Sequence, residues 1–149
     1  MRYPARITKE GRHTLAEFPD CPGCQTFAEP GQNIAEEAHE ALEGWLGAHL
    51  VAGDAPPLPP RRAPRGKVLW VDVPPRLATK LYLRWARQAA GLTQAQLAKR
   101  AGVFQQAIAK LEHPDSNPTL DTLERVARAL GARLEVSVTL NPRTEPLVH

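Results

Sequence analysis

The chain has 149 residues, 42% of them apolar and 23% charged, which is enough for one ordinary domain or two small ones. No apolar run approaches the length of a membrane span, and no secretory signal follows the basic start of the chain. With two cysteines and no export signal, the composition argues against a disulfide-rich secreted protein and predicts a cytoplasmic one.

The net charge of +3 conceals two halves of opposite sign. Residues 1–54 contain four Lys/Arg and nine Asp/Glu, a balance of −5, whereas residues 55–149 contain fifteen and seven, a balance of +8. A basic half suits a polyanion such as DNA, because binding releases condensed counterions. An acidic half is repelled by DNA and suits a basic protein. The asymmetry therefore predicts two modules with different partners.

The first module is predicted to be a two-layer α+β unit with the element order βββαβ. Alternating apolar and polar side chains predict three strands, Tyr3 to Thr8, His13 to Phe18 and Cys24 to Ala28. Residues 34–50 then carry apolar side chains at helical spacing, which predicts a helix packed on the sheet. The opposite face of this helix carries four glutamates, Glu36, Glu37, Glu40 and Glu43.

A Pro/Arg-rich segment at residues 55–66 separates this helix from the last strand of the module. Its five prolines favour extended chain and supply no hydrogen-bond donors for helix or sheet. The preferred interpretation is a solvated spacer, and the alternative is a basic arm that contacts the DNA backbone. Lys67 to Val73 alternates again and is predicted to return to the sheet as a fourth strand.

The most distinctive short motif is the turn Phe18-Pro19-Asp20-Cys21-Pro22-Gly23-Cys24. A C-x-x-C pair can be a redox dithiol or half of a zinc site. A redox pair normally opens a helix, whereas this one precedes a predicted strand, and a zinc site would need two more ligands from scattered histidines. We interpret the motif as a Pro-Gly turn and expect neither metal nor cofactor.

Acidic residues of the first module could in principle hold the two metal ions of a nuclease. Glu17, Asp20 and Asp72 are too few and too irregularly spaced for that role. We therefore expect no catalytic residues and no enzyme activity.

The second module begins with a helix from Leu77 to Ala90, which Gly91 ends. Leu83, Ala86 and Ala90 are expected on the inward face of a small helical bundle. A second apolar stripe, Leu77, Leu81 and Trp85, is expected to pack either on the first module or on a second copy.

The stretch from Gly91 to Glu112 is predicted to form two short helices joined by a tight turn. Thr93 and Gln96 have the spacing of a capping box, which starts the first helix. Gly102 supplies the positive φ that the turn needs. The second helix, about Phe104 to Leu111, is expected to place three residues inward, Ala107, Ile108 and Leu111. This arrangement is typical of a major-groove reader.

The outward residues of this stretch have the chemistry of DNA contacts. A glutamine amide can bond N7 and N6 of adenine at once, which makes Gln105 and Gln106 candidates for base contacts. Gln94 lies at a helix N-terminus, where a phosphate oxygen can bind. The remaining candidates are Lys99, Arg100, Phe104 and Lys110. The alternative is an ordinary α-hairpin with a solvated polar face.

The end of the second module is predicted to be a helix and a strand. Thr119 caps the helix, and its expected inward residues are Leu120, Leu123, Val126, Ala127 and Leu130. Residues 132–140 alternate strictly, which predicts a strand that must pair with the chain's own sheet or with a second copy. We prefer a homodimer, or a higher oligomer, because two half-sites are then read together. Residues 141–149 are expected to be a flexible tail.

Both modules resemble known families. LTQAQLA, AGV and QQAIAKLE resemble the Xre/Cro-type helix-turn-helix family, except that Phe104 stands where Ser or Thr is usual. YPARITKEGRHTLAEFP with the FPDCPGC turn resembles the HicB family of prokaryotic type II antitoxins, whose N-terminal module is a partial RNase H-like fold. The resemblance covers residues 1–75 and 76–140, in that order.

The resemblance implies an antitoxin that inhibits a small basic HicA-like mRNA endoribonuclease and represses its own operon by binding operator DNA. Candidate toxin contacts are then Asp20, Glu36, Glu37, Glu40 and Glu43. The alternative is a stand-alone helix-turn-helix regulator whose first module senses a small ligand.

Overall fold

The computed structural model describes residues 1–140 and shows an α+β protein with four strands and five helices in that range. The strands are β1 (Arg2–Glu10), β2 (His13–Glu17), β3 (Gln25–Ala28) and β4 (Val68–Asp72). The helices are α1 (Ile34–Ala52), α2 (Pro75–Ala89), α3 (Gln94–Ala101), α4 (Gln105–Leu111) and α5 (Leu120–Ala129). The predicted order βββαβ, followed by four helices, is confirmed.

The N-terminal sheet is antiparallel with the strand order β3-β2-β1-β4. Strand β4 returns beside β1, with Tyr3 opposite Val71 and Ala5 opposite Leu69, as predicted. Because side chains alternate along a strand, these residues face the same side of the sheet. Helix α1 covers that side and buries its own apolar stripe there, namely Ala38, Leu42, Leu46 and Leu50.

The FPDCPGC turn is anchored to α1 by side-chain contacts. The indole Nε1 of Trp45 donates to the Pro22 carbonyl at 3.2 Å, and the Cys24 thiol donates to the Ala41 carbonyl at 3.6 Å. Both cysteines are buried and free. Burial raises the pKa of Cys21 to about 12 and that of Cys24 to about 11, so both remain protonated thiols at neutral pH.

Helix α2 belongs to two hydrophobic cores at once. Its residues Leu77 and Leu81 are buried in the N-terminal core, with Trp85 packed against that core. Leu83, on another face of the helix, is buried in a second core built from α3, α4 and α5. The second apolar stripe of α2 therefore packs on the first module of the same chain.

The start of the Pro-rich segment is held against the folded protein by two hydrogen bonds. The Tyr3 hydroxyl donates to the Pro57 carbonyl at 2.6 Å, and the indole of Trp85 donates to the Pro56 carbonyl at 2.8 Å. This part of the segment is docked, in contrast to the solvated spacer that its composition predicted.

Two features of the second module differ from the sequence predictions. Residues 132–140 form no strand, because no sheet edge within residues 1–140 pairs with them, and their preferred pairing with a second copy stays a prediction. Three residues predicted to face inward are exposed, namely Ala90 at the end of α2, Ala107 and Leu120, the last to 60%. Ala107 lies one residue before the buried Ile108, which is a rotation of about 100° on a helix, whereas Leu120 is the first residue of α5, three residues before the buried Leu123. The predicted tail, residues 141–149, lies outside the described residues.

Candidate DNA-binding site

Helix α3 begins with the predicted capping box. The Thr93 hydroxyl accepts from the Gln96 backbone N–H at 3.1 Å, and the Gln96 side chain accepts from the Thr93 N–H at 2.9 Å. Gly102 ends the helix with a φ of 68°. The capping box and the left-handed conformation of Gly102 together set the direction in which the chain leaves α3 toward α4.

Helix α4 presents a polar outer face. Ile108 and Leu111 are buried in the second core and fix the rotation of the helix. Its exposed residues are Gln105, Gln106, Ala107, Ala109 and Lys110. Phe104 takes the N-cap position without a side-chain hydrogen bond, and its ring is 83% exposed. The structure thus brings together four predicted contacts: Phe104, Gln105, Gln106 and Lys110.

Ala107 was missed as a candidate contact. It lies between the glutamines and Lys110 and is exposed. A small apolar side chain at such a place can contact a thymine methyl group. Its place in the sequence, directly after Gln106 and before the apolar Ile108, is the signal that could have identified it.

The other predicted contacts lie on α3 and differ in their surroundings. Lys99 is exposed in the last turn of the helix. Arg100 lines a cleft against α5, together with Asp121, Glu124, Arg125 and Arg128. Gln94 is the first residue of α3, and its amide Nε2 donates to Glu112 Oε2 at 3.0 Å. One hydrogen of that amide is therefore engaged inside the protein, and the other remains for a phosphate oxygen.

Glu112, which follows α4, is the buried centre of this unit. It is 1% exposed and accepts from Arg87 at 2.5 and 3.0 Å and from Arg84 at 3.3 Å, besides the bond from Gln94. Burial raises the pKa of the Glu112 carboxyl, but the hydrogen bonds and charges of these partners outweigh it. The pKa of Glu112 is therefore lowered from its ordinary value, and the group is ionised at neutral pH.

The acidic candidates for toxin binding lie in the first module. On α1, Glu36 and Glu40 are exposed, Glu37 is half-buried, and Glu43 is paired with Arg76 on α2. Asp20 lies partly buried in the FPDCPGC turn. Pairing makes Glu43 less available to an outside partner than Glu36 or Glu40.

Within residues 1–140 no group of three or more His, Cys, Asp or Glu side chains is placed to hold a metal ion. No helix in this part of the chain has both the length and the apolar composition needed to cross a bilayer.

Comparison with known proteins covers both modules. The helix-turn-helix family model matches residues 83–136. Antitoxin HicB 1 of Photorhabdus laumondii is 31% identical over 140 residues, covering 93% of this chain and 87% of that protein. Antitoxin HicB of Escherichia coli is 29% identical over 138 residues, covering 91% and 98% respectively. Antitoxin HigA1 of Mycobacterium tuberculosis is 49% identical over 45 residues, covering 30% of each chain. With this fold and a match to HicB over most of its length, the chain belongs to the HicB antitoxin family.

Proposed function

We propose that this protein neutralises a small basic HicA-like mRNA endoribonuclease and, as a dimer, represses its own operon by binding operator DNA. One observation carries the proposal: a helix-turn-helix with an exposed amide-rich face is fused to an acidic helix in a chain of the HicB family. Residues 1–75 would supply the toxin-binding surface, and residues 76–140 the operator-binding and dimerisation surface.

The toxin side rests on the charge of α1. Glu36 and Glu40 are exposed, and Glu37 adds a third carboxylate in the same part of the helix. A ribonuclease must attract a polyanion, so its RNA surface is basic, and an acidic helix is complementary to it. Asp20 on the neighbouring turn and the paired Glu43 would contribute less.

An RNA-cleavage assay tests this proposal. The purified product of the small reading frame next to this gene is titrated with the full-length protein, and cleavage is expected to cease near one equivalent. The double variant Glu36→Lys/Glu40→Lys should raise the inhibition constant more than tenfold, because like charges brought together cost at least about 1.4 kcal/mol.

The matched control is Glu10→Lys/Glu17→Lys, which makes the same charge change at exposed strand residues of the same module that are not part of α1 or of the turn before it. It should alter inhibition by less than about threefold, the scale of a screened surface charge. Cleavage that continues with excess full-length protein would refute the antitoxin role. If both double variants lost inhibition equally, α1 would not be the contact surface.

The DNA side makes a separate prediction about specificity. Gln105→Ala or Gln106→Ala should cost about 1–3 kcal/mol of operator binding at particular base pairs and relax the preference there. Lys99→Ala should weaken binding to all sequences alike and reduce the slope of log K against log salt by about 0.9. Binding isotherms on the operator and on single-base variants, at several salt concentrations, distinguish the two behaviours. A uniform loss in both glutamine variants would show that neither reads a base.

A further inference from the structure

One end of the N-terminal sheet is strongly basic, although the module that contains it is acidic. Residues 6–13 form the second half of β1, the hairpin turn and the start of β2, and residues 61–67 lead directly into β4. These two segments contain seven Lys/Arg and one glutamate, a balance of +6. We call these seven basic side chains the basic end of the sheet.

Backbone pairing brings the two segments together. The Ile7 N–H donates to the Lys67 carbonyl at 2.9 Å, and Arg6 lies opposite Val68, the first residue of β4. Apart from the half-buried Arg6, every side chain of the basic end is exposed. The arginines of the Pro/Arg-rich segment are therefore held beside the β1–β2 hairpin, and the basic end is one surface of the fold.

The positive charge of this surface is not compensated. Within residues 1–140, none of its seven cations forms an ion pair with a carboxylate. Glu10 in the hairpin, Glu17 opposite Arg6 and Glu29 after β3 oppose the charge, but three carboxylates do not cancel seven cations. A surface that keeps a positive charge attracts a polyanion, and the release of counterions drives the binding.

An exposed aromatic ring lies beside the basic end, on the face of the sheet that α1 does not cover. Phe27 of β3 lies opposite Leu15 of β2, which lies opposite Thr8 of β1, so these three side chains share that face. Phe27 is 58% exposed, and its ring makes an edge contact with His13, with 5.8 Å between the ring centroids. The outer side of the Phe27 ring is open to a planar group.

The exposed ring distinguishes between two kinds of polyanion. Bases of a single strand can stack on an aromatic side chain, whereas bases of a duplex are stacked on one another. Trp70 lies on the same face, but the guanidinium of Arg2 already covers its ring at 5.0 Å from the centroid. Phe27 is therefore the stacking surface that remains, and RNA presents unpaired bases in its loops and ends.

The basic end is separate from the helix-turn-helix. Strand β4 runs away from Lys67 to Asp72, and α2 begins at Pro75. The second module is therefore attached at the opposite end of the sheet, about 17 Å further along β4.

We propose that the basic end and Phe27 form a binding site for single-stranded RNA. The cations contact successive phosphates, and one base stacks on the ring of Phe27. This activity goes beyond the proposed function and requires neither a toxin nor an operator.

The first test measures the affinity of the full-length protein for a labelled oligouridine of about 12 nucleotides by fluorescence anisotropy. Arg65→Gln/Lys67→Gln should weaken binding about tenfold and reduce the slope of log K against log salt by about 1.4, because two phosphate contacts are lost. The matched control is Arg128→Gln/Arg133→Gln, which removes two exposed charges from the second module. It should change the affinity by less than about twofold.

The second test concerns the aromatic ring. Phe27→Leu keeps an exposed apolar side chain but removes the stacking surface, and it should weaken oligouridine binding about tenfold. Phe27→Tyr keeps that surface and should bind as the wild type does. Ultraviolet crosslinking of the wild type to oligouridine should attach uridine at Phe27 or His13, a result that depends on no variant.

Three results would overturn the proposal. The wild type could fail to bind oligouridine at low salt, or bind it equally well after Arg65→Gln/Lys67→Gln. Tighter binding of oligothymidine or of a DNA duplex of equal length, lost in the same variant, would show that this surface takes DNA. Crosslinks confined to residues 93–112 would assign the RNA to the helix-turn-helix.

Discussion

Replacing Glu112 with glutamine is expected to remove about 3–5 kcal/mol from the free energy of unfolding at neutral pH. Glu112 is 1% exposed and is the shared partner of Arg84 and Arg87. Glutamine keeps the shape of the side chain but leaves the buried guanidinium of Arg84 and the largely buried one of Arg87 without a counter-charge. The total stability of a domain is only about 5–15 kcal/mol, so the loss is a large part of it.

The ion pairs of Glu112 with Arg84 and Arg87 also make the free energy of unfolding depend on pH. The pKa of Glu112 is lowered in the folded protein, so its contribution to stability is complete above the ordinary glutamate pKa of about 4.3. It is lost as the pH falls from that value through the lowered pKa of the folded state. The stability difference between wild type and Glu112→Gln should be constant above about pH 5 and shrink on further acidification.

Urea unfolding followed by circular dichroism from pH 7 to pH 3 checks both statements. Glu40→Gln, an exposed glutamate on α1, is the control and should change stability by less than about 0.5 kcal/mol at every pH. A Glu112→Gln protein as stable as wild type at pH 7 would show that the charge at this centre is not needed.

If the proposed dimer forms through residues 132–140, replacing Val138 with aspartate is expected to yield a folded monomer and to weaken operator binding about 10²–10⁴-fold. Val138 is 89% exposed in the single chain, alongside Val136 at 65% and Leu140 at 82%. Exposed apolar residues in alternation, on a segment without backbone pairing, fit a strand completed by a second copy. A charge placed in that interface would break it, and each copy would then bind one half-site alone.

Thr139→Asp is the matched control, because it adds the same charge at the next residue, which faces the other side of an extended segment. It should leave both the dimer and operator affinity nearly unchanged. Analytical ultracentrifugation gives the oligomeric state, and binding to duplexes with one or two half-sites gives the loss of joint binding. A Val138→Asp protein that remains a tight dimer would place the dimer interface elsewhere.

Elements specified by local signals could be predicted from the sequence. The capping box of Thr93 and Gln96 and the positive φ of Gly102 depend on neighbours within a few residues, so the helix-turn-helix was evident. Alternation at Lys67 to Val73, together with the HicB resemblance, predicted the return of β4 to the sheet. Once Ile108 and Leu111 are known to be buried, the helical period predicts which side chains of α4 are exposed.

Features that depend on distant parts of the chain could not be predicted. Lys80, Arg84 and Glu112 are charged, and nothing in their sequence neighbourhoods indicates burial; their partners lie 18 to 36 residues away. The inward placement of Ala107 and Leu120 failed because the phase of a short helix is set by the core that it meets. The strand at 132–140 requires a pairing partner that the single chain does not provide.

The sharing of α2 between two cores limits how the protein can change by recombination. Boundaries between modules commonly fall in proline-rich segments, and here such a segment, residues 55–66, lies before β4 and α2. A helix-turn-helix module from another protein, joined at that point, would bring its own first helix in place of α2. The side chains of that helix would have to fill the places of Leu77 and Leu81 in the first core. It would also need an arginine at the position of Arg84, whose Nη2 donates to the Leu50 carbonyl near the end of α1 at 3.0 Å. The two modules are therefore expected to be inherited together, with exchange confined to the residues on the surface of α4.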